Sequence, residues 1–266
     1  MKIDLITIAR RSGFRRNRAV LRPITPTQVQ ARDLYRVFLP AVIAWENQIR
    51  DRLLPEYSRT LTQTTSDSVI DLEAVIRFIE EYVAGLVQTE IRTGISAWAN
   101  RMAEWHFARF VAGIKYVTNV DLTTIMGSSG QEMTLSEFLA RNTALIRDVS
   151  DQTRGRVADI VFRNAQLRTP LRQVAKELSE ATGLARKRAL RIAVDQNTKL
   201  SASLDRERQL QVGITSFEWD HSGKVHYRPE HLARDHKIFP WSSEVARLDP
   251  PGFAPFCGCK ARGVLE

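Results

Sequence analysis

Residues able to do chemistry gather at one end of the sequence. Four of the five histidines, both cysteines and two of the five tryptophans lie between Phe217 and Glu266. His231, Cys257 and Cys259 offer an imidazole and two thiols, the donors that zinc prefers. A structural zinc site closes with four such ligands, and His236, His226, His221 or Asp220 is available as the fourth. The candidate set is therefore His231, Cys257, Cys259 and His236. The tail is rich in proline and short of continuous apolar residues, so a metal cross-link would supply what a core cannot. Two other readings use the same residues. The cysteines can pack as small hydrophobes while His231 bonds a backbone group. Alternatively, Arg228, Glu230, His231 and Asp220 could imitate a nuclease centre in which histidine activates water and a metal holds phosphate. Arg228 precedes Pro229, which biases it to extended backbone. Its guanidinium is then expected to clamp Glu218, Asp220 or a loop carbonyl, a structural role. No catalytic residue is assigned, and the chain is expected not to be an enzyme.

The elements that must position these groups are mostly helical. From Thr27 to about Leu61, Leu34, Val37, Phe38, Ala41, Val42, Trp45 and Ile49 recur at three- and four-residue steps. Pro40 is expected to kink or divide this helix and Pro55 to end it. A Ser/Thr-rich loop at 62–68 follows. From Asp71 to about Ala112 a second stripe runs through Leu72, Val75, Ile76, Ile79, Val83, Leu86 and Val87, with a bend or break at Gly94. Trp98, Met102, Trp105, Phe107 and Phe110 predict helix–helix core, with His106 packed among them. Gly113 to Met133 predicts a loop with a turn at Gly127-Ser128-Ser129-Gly130. It lacks the strand–GxxxxGK–helix context of a phosphate-binding loop.

Thr134 and Glu137 have capping-box spacing before a helix that runs to about Ala165. Thr169-Pro170 opens another helix, which Gly183 is expected to stop. A basic helix from Leu184 to Val212 carries Arg186, Lys187, Arg188 and Arg191 and ends at Gly213. Residues 214–219 alternate as a strand, with Phe217 and Trp219 on one face. Ser222-Gly223 predicts a turn and 225–227 the return strand. The expected architecture is mainly α with a small α+β C-terminal module. Long helices lead into a short antiparallel β element and an irregular Cys/His tail.

Composition narrows the class. A chain of 266 residues can bury a real core. Its net charge of +9 favours contact with nucleic acid or an acidic surface. Two cysteines two positions apart build no disulfide framework, and no apolar run approaches a membrane span. The N-terminal apolar stretch precedes its basic cluster, the reverse of a secretory signal. Residues 1–26 hold Arg10, Arg11, Arg15, Arg16, Arg18 and Arg22 against one acid, Asp4. They are expected to form a basic, extended arm.

The tail motifs follow in a fixed order. They are Gly213-Ile214-Thr215-Ser216-Phe217-Glu218-Trp219, Arg228-Pro229-Glu230-His231, Ile238-Phe239-Pro240-Trp241, Pro250-Pro251 and Pro255-Phe256-Cys257-Gly258-Cys259. Together with the helical run 138–146, this order resembles the phage head morphogenesis family, which holds the Mu F-like minor capsid proteins. The family usually has glycine five residues after the histidine. His236 stands there and is expected to take a left-handed backbone. The family's Cys-Arg-Cys is Cys-Gly-Cys here, which keeps both thiols and loses the arginine.

The resemblance makes Trp219, Arg228, His231, Cys257 and Cys259 a structural motif. It makes 134–266 a head-morphogenesis domain, with the β and irregular tail from 214; charge and periodicity set off the arm at 1–26 and a helical domain at 27–133 before it. It implies a minor capsid protein of a tailed phage in the head interior or at the portal vertex, and in host cytoplasm during assembly. Portal protein, major capsid protein, scaffold and packaged DNA are the implied partners, with no membrane. Some members carry a further toxin or enzyme domain, and none is expected in the few residues after Cys259. Arg10, Arg11, Arg15, Arg16, Arg18, Arg186, Lys187, Arg188 and Arg191 are the candidates for contact with DNA or an acidic partner. The rival reading is a zinc-stabilised cellular DNA-binding module, and the third is a metal-dependent nuclease.

Overall fold

A computed structural model describes residues 3–62, 67–126 and 131–266. In chain order the elements are α1 (Leu5–Arg11), β1 (Ala19–Val20), α2 (Gln28–Gln48), a π turn (Ile49–Leu53), α3 (Leu54–Thr62) and α4 (Asp67–Leu86). A second π turn (Val87–Ile91), α5 (Arg92–Thr118), α6 (Glu132–Gln166) and α7 (Leu171–Gln211) follow. The chain ends with β2 (Ser216–Asp220), α8 (Pro229–Ala233), β3 (Ile238–Pro240), α9 (Glu244–Leu248) and β4 (Lys260–Leu265). Long helices therefore lead into a small antiparallel sheet and a Cys/His-bearing tail, as expected. The chain forms two compact units, neither of them one continuous segment. Residues 1–31, 98–138 and 194–266 make a sheet unit, and residues 32–97 and 139–193 make a helical unit.

The helical unit is built on apolar stripes with an unusual period. Trp45, Ile49, Leu53 and Tyr57 are buried four residues apart, as are Val83, Val87, Ile91 and Ile95. Four residues exceed one α-helical turn by about 40°, so three such steps would carry a stripe off its face. The wider π turns at Ile49–Leu53 and Val87–Ile91 absorb this drift and keep both stripes inward. Buried polar groups find partners here. Trp45 Nε1 donates to Ser150 Oγ at 2.9 Å and the Tyr57 hydroxyl to the Thr169 carbonyl at 2.8 Å.

Several expected helix breaks do not occur in this unit. α2 is undivided at Pro40, where buried Phe38, Ala41 and Val42 outweigh the lost hydrogen bond. Pro55 does not end the run either: it lies directly after the π turn, inside continuous helix, and the chain stays helical to Thr62. Of the expected Ser/Thr loop, Thr62 ends α3 and residues 67–68 begin α4; residues 63–66 lie outside the described residues. Gly183 does not stop its helix, and α7 runs through it. Buried Ala181, Thr182, Ala185 and Ala189 keep their phase on either side. Gly94 also sits inside a helix, and it serves close approach. A Cβ there would lie 2.8 Å from Val37 Cγ1.

The sheet unit takes its edge strand from the N-terminus. The sheet order is β1-β4-β2-β3, with every pair antiparallel. Ala19 pairs with Leu265, and the Leu21 N–H continues the ladder to the Gly263 carbonyl at 2.9 Å. The expected extended arm is therefore folded, because its apolar residues have a core to enter. Ile3, Leu5, Ala9, Phe14, Ala19 and Leu21 are buried against Phe110, Ile114, Val212 and Leu265. The expected return strand at 225–227 is absent. Val225 is 87% exposed, and β2 pairs instead with β3 and β4.

Helix ends differ from expectation in two places. α5 continues through Gly113 to Thr118, since Ile114 is still buried, and the expected turn at Gly127–Gly130 lies outside the described residues. α6 starts at Glu132, before Thr134, so Thr134 is no cap; its hydroxyl donates to Glu207 Oε2 at 2.7 Å. Gly213 does end α7, with φ +79.

His106 is packed, as the sequence suggested, but its partner is a charge. Its Nδ1 faces Arg208, and its Nε2 lies 3.5 Å from Asp205 Oδ1. Arg208 is 1% exposed and also donates to the Ala103 carbonyl at 2.7 Å and to Gln131 Oε1 at 2.8 Å. Burial pulls the guanidinium down to about 10.

The Gly94 contact is testable by equilibrium urea unfolding. Overpacking a stiff valine costs about 1–3 kcal/mol, against about 1 kcal/mol gained in helix propensity. Gly94→Ala should therefore lose about 1 kcal/mol. The loss should be relieved in the Val37→Ala background, giving a non-additive cycle.

Candidate metal centre

The sheet face over Phe217 and Trp219 sets the position of the centre. Alternation turns both inward, where they are fully buried, while Glu218 faces outward to Arg262 at 2.9 Å. Trp219 pairs with Ala261, so Cys259, two residues before Ala261, continues the same face. Phe217, Trp219, Trp241, Ala246, Cys257, Cys259 and Ala261 form one buried cluster. Gln209 of α7 fastens this sheet. It donates to the Ala261 carbonyl at 2.8 Å and accepts from Trp241 Nε1 at 3.2 Å. Gly263 leaves room for it, since a Cβ there would come 3.1 Å from the Gln209 amide.

His231 reaches the cluster on α8, a single turn that Pro229 starts. The imidazole is 2% exposed, with its ring edge-on to Trp219 at 5.0 Å. Its Nε2 lies 2.9 Å from Asp249 Oδ2, which also accepts from Arg234 at 2.6 Å. A carboxylate held by arginine stays an acceptor, so Nε2 carries the hydrogen and Nδ1 presents its lone pair. Nδ1 faces Cys257 Sγ at 3.5 Å and Cys259 Sγ at 3.7 Å. The hydrogen bond between the two cysteines holds the Cys257 thiol below its usual range and pushes Cys259 up.

This donor set fits a metal. The three ligand atoms lie within 4.8 Å of one another. Tetrahedral zinc, with Zn–S near 2.3 Å and Zn–N near 2.0 Å, sets nitrogen and sulfur about 3.6 Å apart. The observed 3.5 and 3.7 Å bracket that figure. The Asp249–His231 bond is the outer partner that ligating histidines usually have. Among the described residues no fourth histidine, cysteine or carboxylate joins the three. His236, placed in the expected ligand set, is 71% exposed on its side chain and lies near Glu218 and Asp235. Its φ of +59 is the left-handed backbone expected of it, and that turn aims the ring outward. His221, His226 and Asp220 also stand apart from the cluster.

The loop carrying the cysteines is held to α7. Asp195 Oδ1 accepts from the Phe256 N–H at 2.6 Å, and its Oδ2 accepts from Lys199 at 2.6 Å. Phe256 sits at φ +58, a strained value for a bulky residue. Gly252 allows the approach, since a Cβ there would meet Ala202 Cβ at 2.7 Å. Arg228 clamps a loop carbonyl, that of Pro255, at 3.1 Å. A Cβ on Gly258 would come 2.9 Å from both Ser222 Cβ and Lys224 Cε, so the residue between the cysteines has no spare room. Asp249, Arg234 and Asp195 were not visible as site residues in the sequence. Only the proximity of Asp249 to Pro250 hinted at a fixed turn.

Residues 156–262 match the family model of the Phage Mu protein F like protein. That Mu F-like segment supports the phage head morphogenesis family and contains every residue of the centre. A curated relative, an uncharacterized protein of Haemophilus influenzae, is 25% identical over 214 residues. The match covers 80% of this chain and 48% of the relative, so the chain spans about half the length of that relative. No solved structure matches the chain.

The expected basic contacts are dispersed. Arg10, Arg11, Arg15, Arg16 and Arg18 belong to the sheet unit, and Arg186, Lys187, Arg188 and Arg191 to the helical unit. Several are engaged within the protein. Arg10 lies over the Phe14 ring, Arg15 donates to the Arg10 carbonyl, and Arg18 lies 3.6 Å from Glu218. Arg186 pairs with Glu46, and Arg188 pairs with Asp148 at 2.6 Å. Arg11, Arg16, Lys187 and Arg191 are exposed.

The Asp195 anchor has a measurable consequence. Asp195→Ala frees the Phe256 N–H and leaves Lys199, about one-tenth exposed, without its carboxylate. Stranding a nearly buried charge costs about 3–5 kcal/mol. Chemical denaturation should show a loss of that size, and Asp195→Asn, which can still accept the Phe256 hydrogen bond, a smaller one.

Proposed function

We propose that this chain is a non-enzymatic minor capsid protein of a tailed phage. It acts in head assembly, DNA packaging or genome delivery and is held at the portal or the inner capsid wall. It would act inside the head and, during assembly, in host cytoplasm. The observation that carries the reading is the Mu F-like segment at 156–262, whose aromatic, histidine and cysteine motifs fold into one buried centre. No helix among the described residues is long and apolar enough to cross a membrane. The exposed arginines Arg11 and Arg16 are the candidates for contact with packaged DNA or an acidic partner. Sedimentation of lysates from cells assembling heads tests the assignment. The protein should travel with portal-containing particles, and a protein that stays at the top of the gradient defeats it.

The centre's role in this reading is structural. His231, Cys257 and Cys259 would supply three of the four ligands of a zinc ion that ties α8 to the Cys loop. Burial favours this over hydrolysis, since the three ligands are each at most 5% exposed and leave a substrate no approach. Arg228 is likewise occupied by a backbone carbonyl. The full chain should bind about one equivalent of zinc. Cys257→Ser with Cys259→Ser should abolish binding and lower the Tm, while Asp249→Asn should weaken zinc about 10–100-fold with all three ligands kept. Unchanged metal content and Tm in the double cysteine variant would exclude the zinc site.

A further inference from the structure

A second set of groups in the sheet unit takes no part in the metal centre. Trp105, Arg109, Gly113 and Tyr116 recur at helical spacing along one face of α5. Opposite them runs the segment Arg22 to Thr25, and together they enclose a cavity of about 320 Å³. That size falls within the range of small-ligand sites. Arg22 lies over the Tyr116 ring at 4.3 Å, and Arg109 lies over Trp105 at 5.7 Å.

Each guanidinium thus lies over an aromatic ring, a placement that keeps N–H groups available to an oxyanion. Among the described residues neither arginine has an ion-pair partner, and no carboxylate lines the cavity. Two cations near each other without a counter-charge are held there by structure. Arg22 is fixed between Leu21, which bonds to the sheet, and Pro23, which restricts its backbone. Arg109 rides on a helix whose inner face is core. Tyr116 is 70% exposed, so its ring has surface to spare beyond the stacked arginine.

We propose that this cavity binds a nucleotide unit of a single-stranded nucleic acid. The two guanidinia take the phosphate, and a base lies against the exposed aromatic surface. Successive bases of a single strand have free faces for such stacking, whereas a duplex hides them. The phosphate is gripped by side chains, so no glycine-rich phosphate loop is needed. Gly113 gives the base its space. A Cβ built on it meets nothing within 4 Å. The inference rests on the cavity's own chemistry and holds whether or not the protein belongs to a phage head.

The test is fluorescence anisotropy of a labelled oligothymidylate with the full chain at several salt concentrations. A duplex of equal length, inorganic phosphate and a polyglutamate peptide serve as competitors. The single strand should bind more tightly than the duplex, and neither phosphate nor polyglutamate should displace it at matched concentration. Arg22→Gln and Arg109→Gln, both at exposed positions, should each weaken binding about tenfold and lower the salt slope by about 0.7. Tyr116→Ala should cost about tenfold through lost stacking. Gly113→Leu fills the cavity at a helical position that favours leucine. It should weaken binding at least about tenfold without changing the salt slope. Equal affinity for duplex, or full binding by Gly113→Leu and Tyr116→Ala, would overturn the proposal. Displacement by phosphate would reduce the site to an oxyanion cradle, and displacement by polyglutamate would assign it to an acidic protein; either result also overturns it.

Discussion

One carboxylate on α7 holds the tail to the body. Asp195 accepts from the Phe256 N–H and from Lys199, and so fixes the loop that carries the two cysteines. Phe256, at φ +58, would relax to an ordinary conformation without such a partner. Its strain places Cys257 and Cys259 two positions apart yet both toward His231. A shift of the loop by an ångström would separate sulfur from imidazole, since the N···S distances are already only 3.5 and 3.7 Å. The geometry of the centre therefore depends on a charge some sixty residues earlier in the chain.

The same helix carries the other polar fixings of the sheet unit. Gln209 holds the sheet through Ala261 and Trp241, and Arg208 joins α7 to α5 through His106 and the Ala103 carbonyl. These are directional bonds in a low-dielectric interior, where an unpaired group is costly. They define which way the helix is rotated beneath the sheet. Apolar packing alone tolerates small rotations better than a buried guanidinium with three acceptors does. The N-terminal strand completes the arrangement by covering the β4 edge, which would otherwise expose unpaired backbone groups.

The legible part of this structure is the part governed by local periodicity. The stripes through Leu34 to Ile49 and Leu72 to Val87 are buried as their spacing implied, and Phe217 and Trp219 turn inward as alternation implied. Breaks were less legible. Pro40, Gly94 and Gly183 carry helix penalties of about 1–3 kcal/mol, which burial elsewhere in the same helix outweighs. The N-terminal arginines obscured the apolar residues between them. Ile3, Leu5, Ala9 and Phe14 are what fold that segment, and the arginines only decorate it. In the centre, His231 and the cysteines were legible because their chemistry is rare in this chain. Asp249 and Asp195 were not, since acids are common and their roles arise from long-range contacts.

The burial of the donors bears on what a metal would do here. In a small zinc module the apo chain has no core, and metal binding is folding itself. Here Phe217, Trp219, Trp241 and Ala246 pack around the cysteines, and Asp249 already orients His231. A metal at this site would add to the packing and hydrogen bonds that hold the donors. Its bonds to the two sulfurs and the imidazole would tie the Cys loop to α8. Such bonds would reinforce a cluster that aromatic packing already encloses. The loop is also anchored twice, by Asp195 from the helix and by Arg228 at Pro255: both contacts keep the thiols in place.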